Sequence, residues 1–331
     1  MRLMLYEPAY RRIAEEIAPF EDRLELVLVS SDGAIACDGR ALDPDTAQPE
    51  AGWMGADSGG GAGGRALAVS MLKSQRLVWA HTGAAGVDHP IWGQIVEKGA
   101  RLTTGHGQAV SIAEYVLAGV LEVYQRQAER RAEQAARRWT RLPFREIAGT
   151  RWLIVGFGAI GEATAERARA FGARIEGVRR SGKAHPLAER MSRLSETNAR
   201  LPEADVVVLA APLNDETRSM VDAAFFAAMK KGSVLVNVGR GGLVDEAALL
   251  AALEKDVPEH AVLDVFQTEP LPEASPFWTH PKVTLTPHAS AFGSGQTERN
   301  DALFVENLRR HLAGEPYLYE ADPRDLGRAA G

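Results

Sequence analysis

The chain has 331 residues, a length at which two domains around two hydrophobic cores are the default expectation. Hydrophobic residues make up 45% and charged residues 25%, which is the composition of an ordinary globular protein and excludes a disordered chain. The formal net charge of -6 argues against a protein whose main task is to neutralise the phosphates of nucleic acid or of anionic lipid. A local basic site can still bind an anionic small molecule.

Cysteine use and the first residues indicate where the protein works. Cys37 is the only cysteine in the sequence, which excludes an intramolecular disulfide and a cysteine-rich zinc site. We predict no metal site. The start of the chain lacks the apolar core of a signal peptide, and the sequence has no apolar run of about 18 residues. We therefore expect a cytoplasmic protein that binds neither membrane nor nucleic acid.

The first hundred residues alternate between short apolar runs and helix-like stretches. Residues 2–6, 24–29 and 77–80 are predicted strands of a first α/β unit. Between them, residues 55–64 read GADSGGGAGG, and such a stretch offers no side chains for a core. We expect a loop there, and a mobile surface segment is the simplest interpretation.

Residues 108–138 have helical spacing without proline and lie between Gly107 and Pro143. This predicts one long helix or a pair of helices. The second half is rich in arginine interleaved with glutamate, which is typical of a solvated face with ion pairs, although an arm that contacts a second subunit fits equally well. The first half carries four large apolar residues at helical spacing, which favours the subunit contact: Tyr115, Leu117, Leu121 and Tyr124.

After residue 151 the pattern of apolar strand, turn and amphipathic helix becomes regular. The predicted strands span residues 152–155, 174–178, 206–209, 234–238, 261–265 and 283–286, and a last helix spans residues 297–312. Strands that are apolar throughout and separated by helical patterns predict a parallel sheet covered on both faces. The predicted fold class is therefore α/β, with a doubly wound parallel sheet.

The spacing Gly-x-Gly-x-x-Gly occurs twice in the sequence, at Gly59 and at Gly156. Dinucleotide binding requires a tight turn directly after a buried strand, with the pyrophosphate on the N-terminus of the next helix. Only the second occurrence has this context. We therefore predict the cofactor turn at residues 156–161, which comprise Gly156, Phe157, Gly158, Ala159, Ile160 and Gly161, and a loop for the first occurrence.

Two cations and a hydroxyl follow the second strand of this sheet, at Arg179, Arg180 and Ser181. An enzyme that prefers NAD has an acidic residue at this position to accept the ribose 2′-hydroxyl. Glu176 lies three residues earlier, inside the strand. The alternative is that these are ordinary surface residues. Two arginines and a serine together at this position nevertheless predict a pocket for the 2′-phosphate of NADP(H).

Three polar residues follow strands at the same predicted edge of the sheet, and they are Arg240, Glu269 and His288. Ligands bind at the carboxyl ends of parallel strands, so the three side chains are expected near one another. Individually they could be an ion-pair arginine, a turn glutamate and a loop histidine. Together with the cofactor motif, they form a set in which a guanidinium binds a carboxylate and an imidazole transfers a proton.

Four motifs closely resemble those of the D-isomer-specific 2-hydroxyacid dehydrogenases. They are Gly-Phe-Gly-Ala-Ile-Gly at 156–161, Val-Gly-Arg-Gly-Gly-Leu-Val-Asp-Glu at 238–246, Leu-Asp-Val-Phe-Gln-Thr-Glu-Pro at 263–270 and Thr-Pro-His-Ala-Ser at 286–290. The resemblance covers about residues 77–312. It implies a Rossmann cofactor domain inserted into a smaller flavodoxin-like substrate domain, with the substrate in a cleft between them. We place the substrate domain at 1–106 and 288–331, and the cofactor domain at 107–287.

The resemblance also implies individual roles. His288 would be the acid/base, Glu269 would orient and charge it, and Arg240 would hold the substrate. The backbone amides of Ala85 and Gly86 would bind the substrate carboxylate. Further residues that would contact the cofactor are Ala211, Pro212, Thr217, Val238, Gly239 and Asp264.

The sequence thus predicts an oxidoreductase that transfers a hydride between NADP(H) and a small 2-oxo or D-2-hydroxy acid such as glyoxylate or hydroxypyruvate. NADP(H) is the preferred cofactor, and NAD(H) is the second one that the site could accept. A non-catalytic nucleotide-sensing protein or scaffold on the same fold is the alternative. The family resemblance and the segment 108–138 together predict a homodimer.

Overall fold

A computed structural model describes residues 1–326 of the chain. The chain forms two compact units, of which unit 1 contains residues 1–108 and the segment from Ser294 onward, and unit 2 contains Ala109–Gly293. The boundaries predicted from the sequence lie after residues 106 and 287. His288 therefore lies in unit 2, whereas the predicted division assigned it to the substrate domain.

The first part of unit 1 forms a seven-stranded sheet with three of the unit's helices. The strands are β1 (Arg2–Tyr6), β2 (Glu25–Val29), β3 (Ile35–Cys37), β4 (Arg40–Leu42), β5 (Ala51–Met54), β6 (Trp79–Thr82) and β7 (Arg101–Thr104), and the helices are α1 (Glu7–Ile17), α2 (Ala62–Lys73) and α3 (Pro90–Glu97). The order is β4-β3-β2-β1-β5-β6-β7. Strand β3 runs antiparallel to both of its neighbours, β2 and β4, and forms a hairpin with β4. Without that hairpin, the parallel strands follow the flavodoxin-like order 2-1-3-4-5, as predicted.

Unit 2 contains a second seven-stranded sheet, and all its pairings are parallel. The helices in this part are α4 (Ala109–Tyr124), α5 (Gln127–Ala135), α6 (Ala159–Ala170), α7 (Ala223–Ala228) and α8 (Glu246–Leu253), and the strands are β8 (Arg151–Val155), β9 (Arg174–Val178), β10 (Arg190–Ser192), β11 (Val206–Leu209), β12 (Val234–Asn237), β13 (His260–Leu263) and β14 (Val283–Leu285). The order β10-β9-β8-β11-β12-β13-β14 is that of a Rossmann sheet with one further strand. The predicted doubly wound fold is confirmed.

The core of unit 2 lies on both faces of its sheet. Along β8, Leu153 and Val155 join one apolar cluster, whereas Trp152 and Ile154 join the other. Side chains alternate between the two faces of a strand, so a strand that is apolar throughout has both faces covered. This is the physical basis of the regular pattern after residue 151.

The C-terminal helix α9 (Gln296–Ala313) completes unit 1. Phe304 of this helix is fully buried, and its ring stacks on that of Trp53 at a centroid distance of 4.2 Å. Arg12 of α1 ties the helix to the rest of the unit, because its guanidinium binds Asp301 at 2.6 Å and Asp57 at 2.6 Å. The last helix is therefore part of the core of the unit to which the first strand belongs.

The glycine-rich stretch at 55–64 is more ordered than the sequence predicts. Ala56–Ser58 form a 3-10 turn, and α2 begins at Ala62, so Gly63 and Gly64 lie in its first turn and are buried. A Cβ atom on Gly64 would lie 1.9 Å from the carbonyl oxygen of Ser58. The prediction of a loop over residues 55–64 was therefore wrong for residues 62–64, which are helical. Glycines occur here because the close packing leaves no room for side chains.

Candidate active site

The predicted cofactor turn connects β8 to α6 at the carboxyl edge of the sheet in unit 2. Gly156 has a φ of +97°, and a Cβ atom there would lie 2.3 Å from the backbone nitrogen of Ala211. At Gly161, a Cβ atom would lie 2.4 Å from the carbonyl oxygen of Gly156. These two glycines permit the tight turn and the close approach of the helix, while the space next to Gly158 is open.

The N-terminus of α6 can hold an anion. Ala159 and Ile160 open the helix, and its N-cap residue Gly158 has no side chain that accepts the backbone N–H groups. These N–H groups and the helix dipole favour a phosphate. The described residues therefore fit the pyrophosphate of a dinucleotide.

The three residues at the tip of β9 have different surroundings. Arg179 donates to the carbonyl oxygens of Lys183 at 2.6 Å and Ala184 at 3.1 Å, so it braces its own loop. The guanidinium of Arg180 lies 3.8 Å from the carboxylate of Glu216. Ser181 is exposed. Glu176 lies within β9 and points to Arg151 at 3.8 Å, at the opposite end of the strands.

The loop after β11 contains the other residues that were predicted to line the cofactor site. Ala211 is buried, and Thr217 donates its hydroxyl proton to the carbonyl oxygen of Pro212 at 2.7 Å. After the neighbouring strand β12, Val238 is buried, and the N–H of Gly239 donates to the side chain of Asn237 at 3.1 Å. All these residues follow strands at the same edge as Gly156.

Arg240 begins the turn that follows β12. Its guanidinium donates to the carbonyl oxygen of Gly239 at 2.8 Å. The next residue packs tightly, because a Cβ atom on Gly241 would lie 1.8 Å from the carbonyl carbon of Phe266. Phe266 in turn donates its N–H to Glu269 at 2.9 Å. The turns after β12 and β13 are thus packed against each other, which places Arg240 and Glu269 in adjacent segments.

Glu269 and His288 form a hydrogen-bonded pair. Glu269 Oε2 lies 2.7 Å from His288 Nδ1, and both side chains are partly exposed. The backbone of His288 has a φ of +51°, which non-glycine residues rarely adopt. In this conformation the imidazole Nδ1 faces the carboxylate. The pair can hold a protonated imidazole, whose second nitrogen, Nε2, is then able to give a proton.

Asp264 anchors the segment that carries His288. The carboxylate is 1% exposed and accepts hydrogen bonds from Thr286 Oγ1 at 2.6 Å, from Ala289 N at 2.8 Å and from the backbone and hydroxyl of Ser290. The carbonyl oxygen of Asp264 also accepts from His288 N at 2.8 Å. The resemblance assigned this residue to the cofactor, and the structure gives its side chain a further role, which is to fix the turn at 286–290.

A further residue supports this anchor and was missed in the sequence. The hydroxyl of Tyr115, on α4, lies 2.8 Å from Thr286 Oγ1. Since that threonine donates to Asp264, the tyrosine is the donor in this contact. Burial raises the pKa of Tyr115 to about 12, so the hydroxyl keeps its proton. The sequence showed Tyr115 only as an apolar helical position.

The predicted substrate residues Ala85 and Gly86 lie in unit 1, in the loop after β6. Three hydrogen bonds fix the start of this loop: Thr82 Oγ1 accepts from Ala84 N at 3.2 Å, Ala84 O accepts from Gly105 N at 3.1 Å, and Gly83 O accepts from Asn300 Nδ2 at 3.2 Å. Asn300 belongs to the C-terminal helix, so that helix also supports the loop.

Comparison with known proteins identifies the family. Residues 117–290 match the family described as D-isomer specific 2-hydroxyacid dehydrogenase, NAD binding domain. The chain belongs to the D-isomer specific 2-hydroxyacid dehydrogenase family. It is 36% identical over 212 residues to the (S)-sulfolactate dehydrogenase of Chromohalobacter salexigens, which is 62% of this chain and 68% of that protein.

Two more 2-hydroxyacid dehydrogenase family proteins illustrate the similarity. The glyoxylate/hydroxypyruvate reductase B of Escherichia fergusonii is 40% identical over 163 residues, 49% of this chain and half of that enzyme. The crystal structure of a D-isomer specific 2-hydroxyacid dehydrogenase from Xanthobacter autotrophicus, in complex with NADPH and MES, superposes with a TM-score of 0.78. It is 27% identical, and the match covers 98% of both chains.

Family membership confirms the predicted class, an NAD(P)-dependent 2-hydroxyacid oxidoreductase, and does not favour the alternative of a non-catalytic sensor or scaffold.

Within residues 1–326, no cluster of three or more metal-ligating side chains was found. In the same part of the chain, no helix is both long and apolar enough to cross a bilayer. The cytoplasmic location stays a prediction.

Proposed function

We propose that the protein reduces small 2-oxo acids, with glyoxylate and hydroxypyruvate as the leading substrates, to D-2-hydroxy acids with NADPH. The observation that carries this proposal is the 2.7 Å pair of Glu269 and His288 at the same sheet edge as the cofactor turn. A reductase needs a proton donor where the hydride acceptor binds, and this pair is such a donor. The relatives named as glyoxylate/hydroxypyruvate reductases support the substrate class.

The nicotinamide, when bound, supplies the hydride that goes to the keto carbon. Protonated His288 gives its Nε2 proton to the keto oxygen, so that the oxygen becomes the hydroxyl of the product. Glu269 accepts a hydrogen bond from Nδ1 and fixes the orientation of the ring. Arg240 presents a planar fork of donors that fits the substrate carboxylate and the oxygen that develops charge. Unit 2, which carries the cofactor turn, serves as the cofactor domain, and unit 1, which carries Ala85 and Gly86, serves as the substrate domain.

An activity panel tests this function. Glyoxylate, hydroxypyruvate, pyruvate and larger 2-oxo acids are assayed with NADPH and with NADH, and (S)-sulfolactate is assayed in the oxidative direction. We expect the highest turnover with glyoxylate or hydroxypyruvate. A protein that binds the nucleotide and turns over none of these acids would contradict the proposal.

The proton-transfer roles are tested with two variants. His288→Ala should reduce kcat by about a hundredfold or more, since positioned proton transfer contributes that much. Glu269→Gln keeps the size of the side chain but replaces the carboxylate that lies 2.7 Å from His288 Nδ1 with an amide, so the ring is held less firmly and kcat should fall, by less than in His288→Ala. An unchanged kcat in this variant contradicts the assigned role of Glu269.

Preference for NADP(H) over NAD(H) is the second part of the proposal. The tip of β9 carries Arg180 and Ser181 and lacks a carboxylate that would accept the ribose 2′-hydroxyl and repel a 2′-phosphate. The Xanthobacter relative was crystallised with NADPH. We expect a higher kcat/KM with NADPH than with NADH, and Arg180→Asp should shift the ratio toward NADH. The preference is refuted when the unmodified enzyme favours NADH.

We also propose that the protein is a homodimer. The apolar residues that favoured this in the sequence lie inside unit 2, where Leu117 and Tyr124 are buried in its core. The support now comes from the segment after α5, where Trp139 is 95% exposed and Phe144 is 52% exposed. Large aromatic side chains this exposed are typical of an interface. Light scattering at micromolar concentration should give twice the chain mass, and a result near 35.7 kDa contradicts the dimer.

A further inference from the structure

A third cation, Arg193, lies next to the predicted 2′-phosphate pocket, directly after a strand that the sequence did not predict. Strand β10 pairs with β9 in parallel, with Ser192 opposite Val178. The residues that follow, Arg193 and Arg179, therefore leave the sheet side by side at its carboxyl edge. The N–H of Arg179 donates to the carbonyl oxygen of Ser192 at 3.1 Å, which ties the two strand ends together.

Arg193 packs against the loop that carries the predicted phosphate ligands. A Cβ atom on Gly182 would lie 3.0 Å from Arg193 Cγ and 3.6 Å from its Nε, and Gly182 has a φ of +60°. The loop thus turns back at a glycine, and the arginine side chain fills the space that a side chain at Gly182 would need. The Arg193 side chain therefore lies against Gly182, the residue that follows Ser181.

The three arginines differ in what they bind. Arg179 is committed to the carbonyl oxygens of its own loop, and Arg180 faces the carboxylate of Glu216. Arg193 makes its hydrogen bonds through the backbone, with its N–H donating to Glu196 at 2.7 Å. Within residues 1–326, its exposed guanidinium has no acceptor. Its fork of donors is therefore available to an incoming anion.

We infer that Arg193 is a specificity residue for the cofactor, and that it binds the 2′-phosphate of NADP(H) together with Arg180 and Ser181. The inference rests on the proposed preference for NADP(H). A phosphate monoester carries nearly two negative charges and three acceptor oxygens, so two guanidinium groups and a hydroxyl match it in charge and in donors. NAD(H) lacks that group, so Arg193 contributes little to its binding.

The test is charge reversal at Arg193, with a matched control at the other end of the strand that Arg193 follows. Arg193→Glu is compared with Arg190→Glu, because Arg190 is also exposed and lies at the amino end of β10, three residues away. KM and kcat are measured for NADPH and NADH, and the affinities for adenosine 2′,5′-bisphosphate and for AMP are measured by calorimetry. These two nucleotides differ only in the 2′-phosphate.

We expect Arg193→Glu to raise KM for NADPH and Kd for the bisphosphate by about tenfold or more, because a charge-assisted contact is replaced by repulsion. KM for NADH, Kd for AMP and kcat should stay within about twofold, as should every constant of the Arg190→Glu control. A smaller change at Arg193, or an equal change for NADH and AMP, overturns the inference while the NADP(H) preference stands. An unmodified enzyme that binds the bisphosphate no better than AMP overturns both.

Discussion

Two histidines of unit 1 should make the protein sensitive to mild acid. Burial lowers the pKa of His81 to about 3 and the pKa of His106 to about 4. In the unfolded chain each has an ordinary pKa of about 6.5. Above that pH both states hold neutral rings, and the full stability is present. As the pH falls below it, the unfolded chain takes up protons that the folded chain excludes, so stability is lost.

The magnitude follows from the two pKa values of each ring. At pH 5, proton uptake by the unfolded chain costs the folded state about 2 kcal/mol for each of the two histidines. Total stabilities of about 5–15 kcal/mol are usual, so a loss of about 4 kcal/mol should be plain in an unfolding experiment. The rings of Trp53 and Trp79 both lie 6.3 Å from that of His81 and supply the fluorescence signal.

The variant His81→Asn isolates one of these contributions. The hydrogen bond of 2.7 Å between His81 Nδ1 and Thr103 Oγ1 can be made by the asparagine amide, which does not titrate. Urea unfolding at pH 7.5 and at pH 5 should show the loss of stability reduced by about 2 kcal/mol in this variant. His89→Asn is the control, since His89 is exposed and asparagine can replace it as the N-cap of α3. An equal loss in His81→Asn and the unmodified protein would refute the reasoning.

Three substitutions test other features of the packing, each by urea unfolding. Gly64→Ala should lose at least about 3 kcal/mol, because its Cβ atom would meet a carbonyl oxygen at 1.9 Å, whereas Gly61→Ala, with its nearest neighbour at 3.8 Å, should be tolerated. Thr286→Val removes a donor from a buried carboxylate and should cost about 1–3 kcal/mol, together with part of kcat. Arg12→Leu breaks two ion pairs of 2.6 Å and should cost about 2 kcal/mol, whereas the exposed Arg11→Leu should cost less than about 0.5 kcal/mol.

The sequence predicted the strands that are buried on both faces and missed those that are short or polar. Strands β8, β9, β11 and β12 are apolar enough to stand out between helices. Strand β10 reads Arg-Met-Ser, and the β3–β4 hairpin has only three residues in each strand, so neither has a recognisable pattern. The start of α2 could not be predicted from the sequence, because its glycines are required by a contact with backbone atoms outside the helix.

The residues of the candidate site were likewise predicted only in part. Glu269 and His288 could be placed together because both follow strands at one edge of a parallel sheet. The roles of Arg193 and Tyr115 depend on an unpredicted strand and on side-chain direction, which residue spacing does not provide. Asp264 shows the limit most clearly, because its motif was recognised while its five internal hydrogen-bond contacts were not.

Unit 1 consists of two separate segments of the chain, so its parts are synthesised at different times. Phe304 and Leu308 are fully buried beside Leu3, Leu5 and the tryptophans of β5 and β6. A growing chain therefore makes about three quarters of unit 1 at the start and receives the helix that closes its core some two hundred residues later. Unit 2 is continuous and can fold in the meantime, as domains do during translation. The nascent protein thus carries an open apolar surface at its N-terminal end for most of its synthesis, and we expect chaperones to bind it in this period.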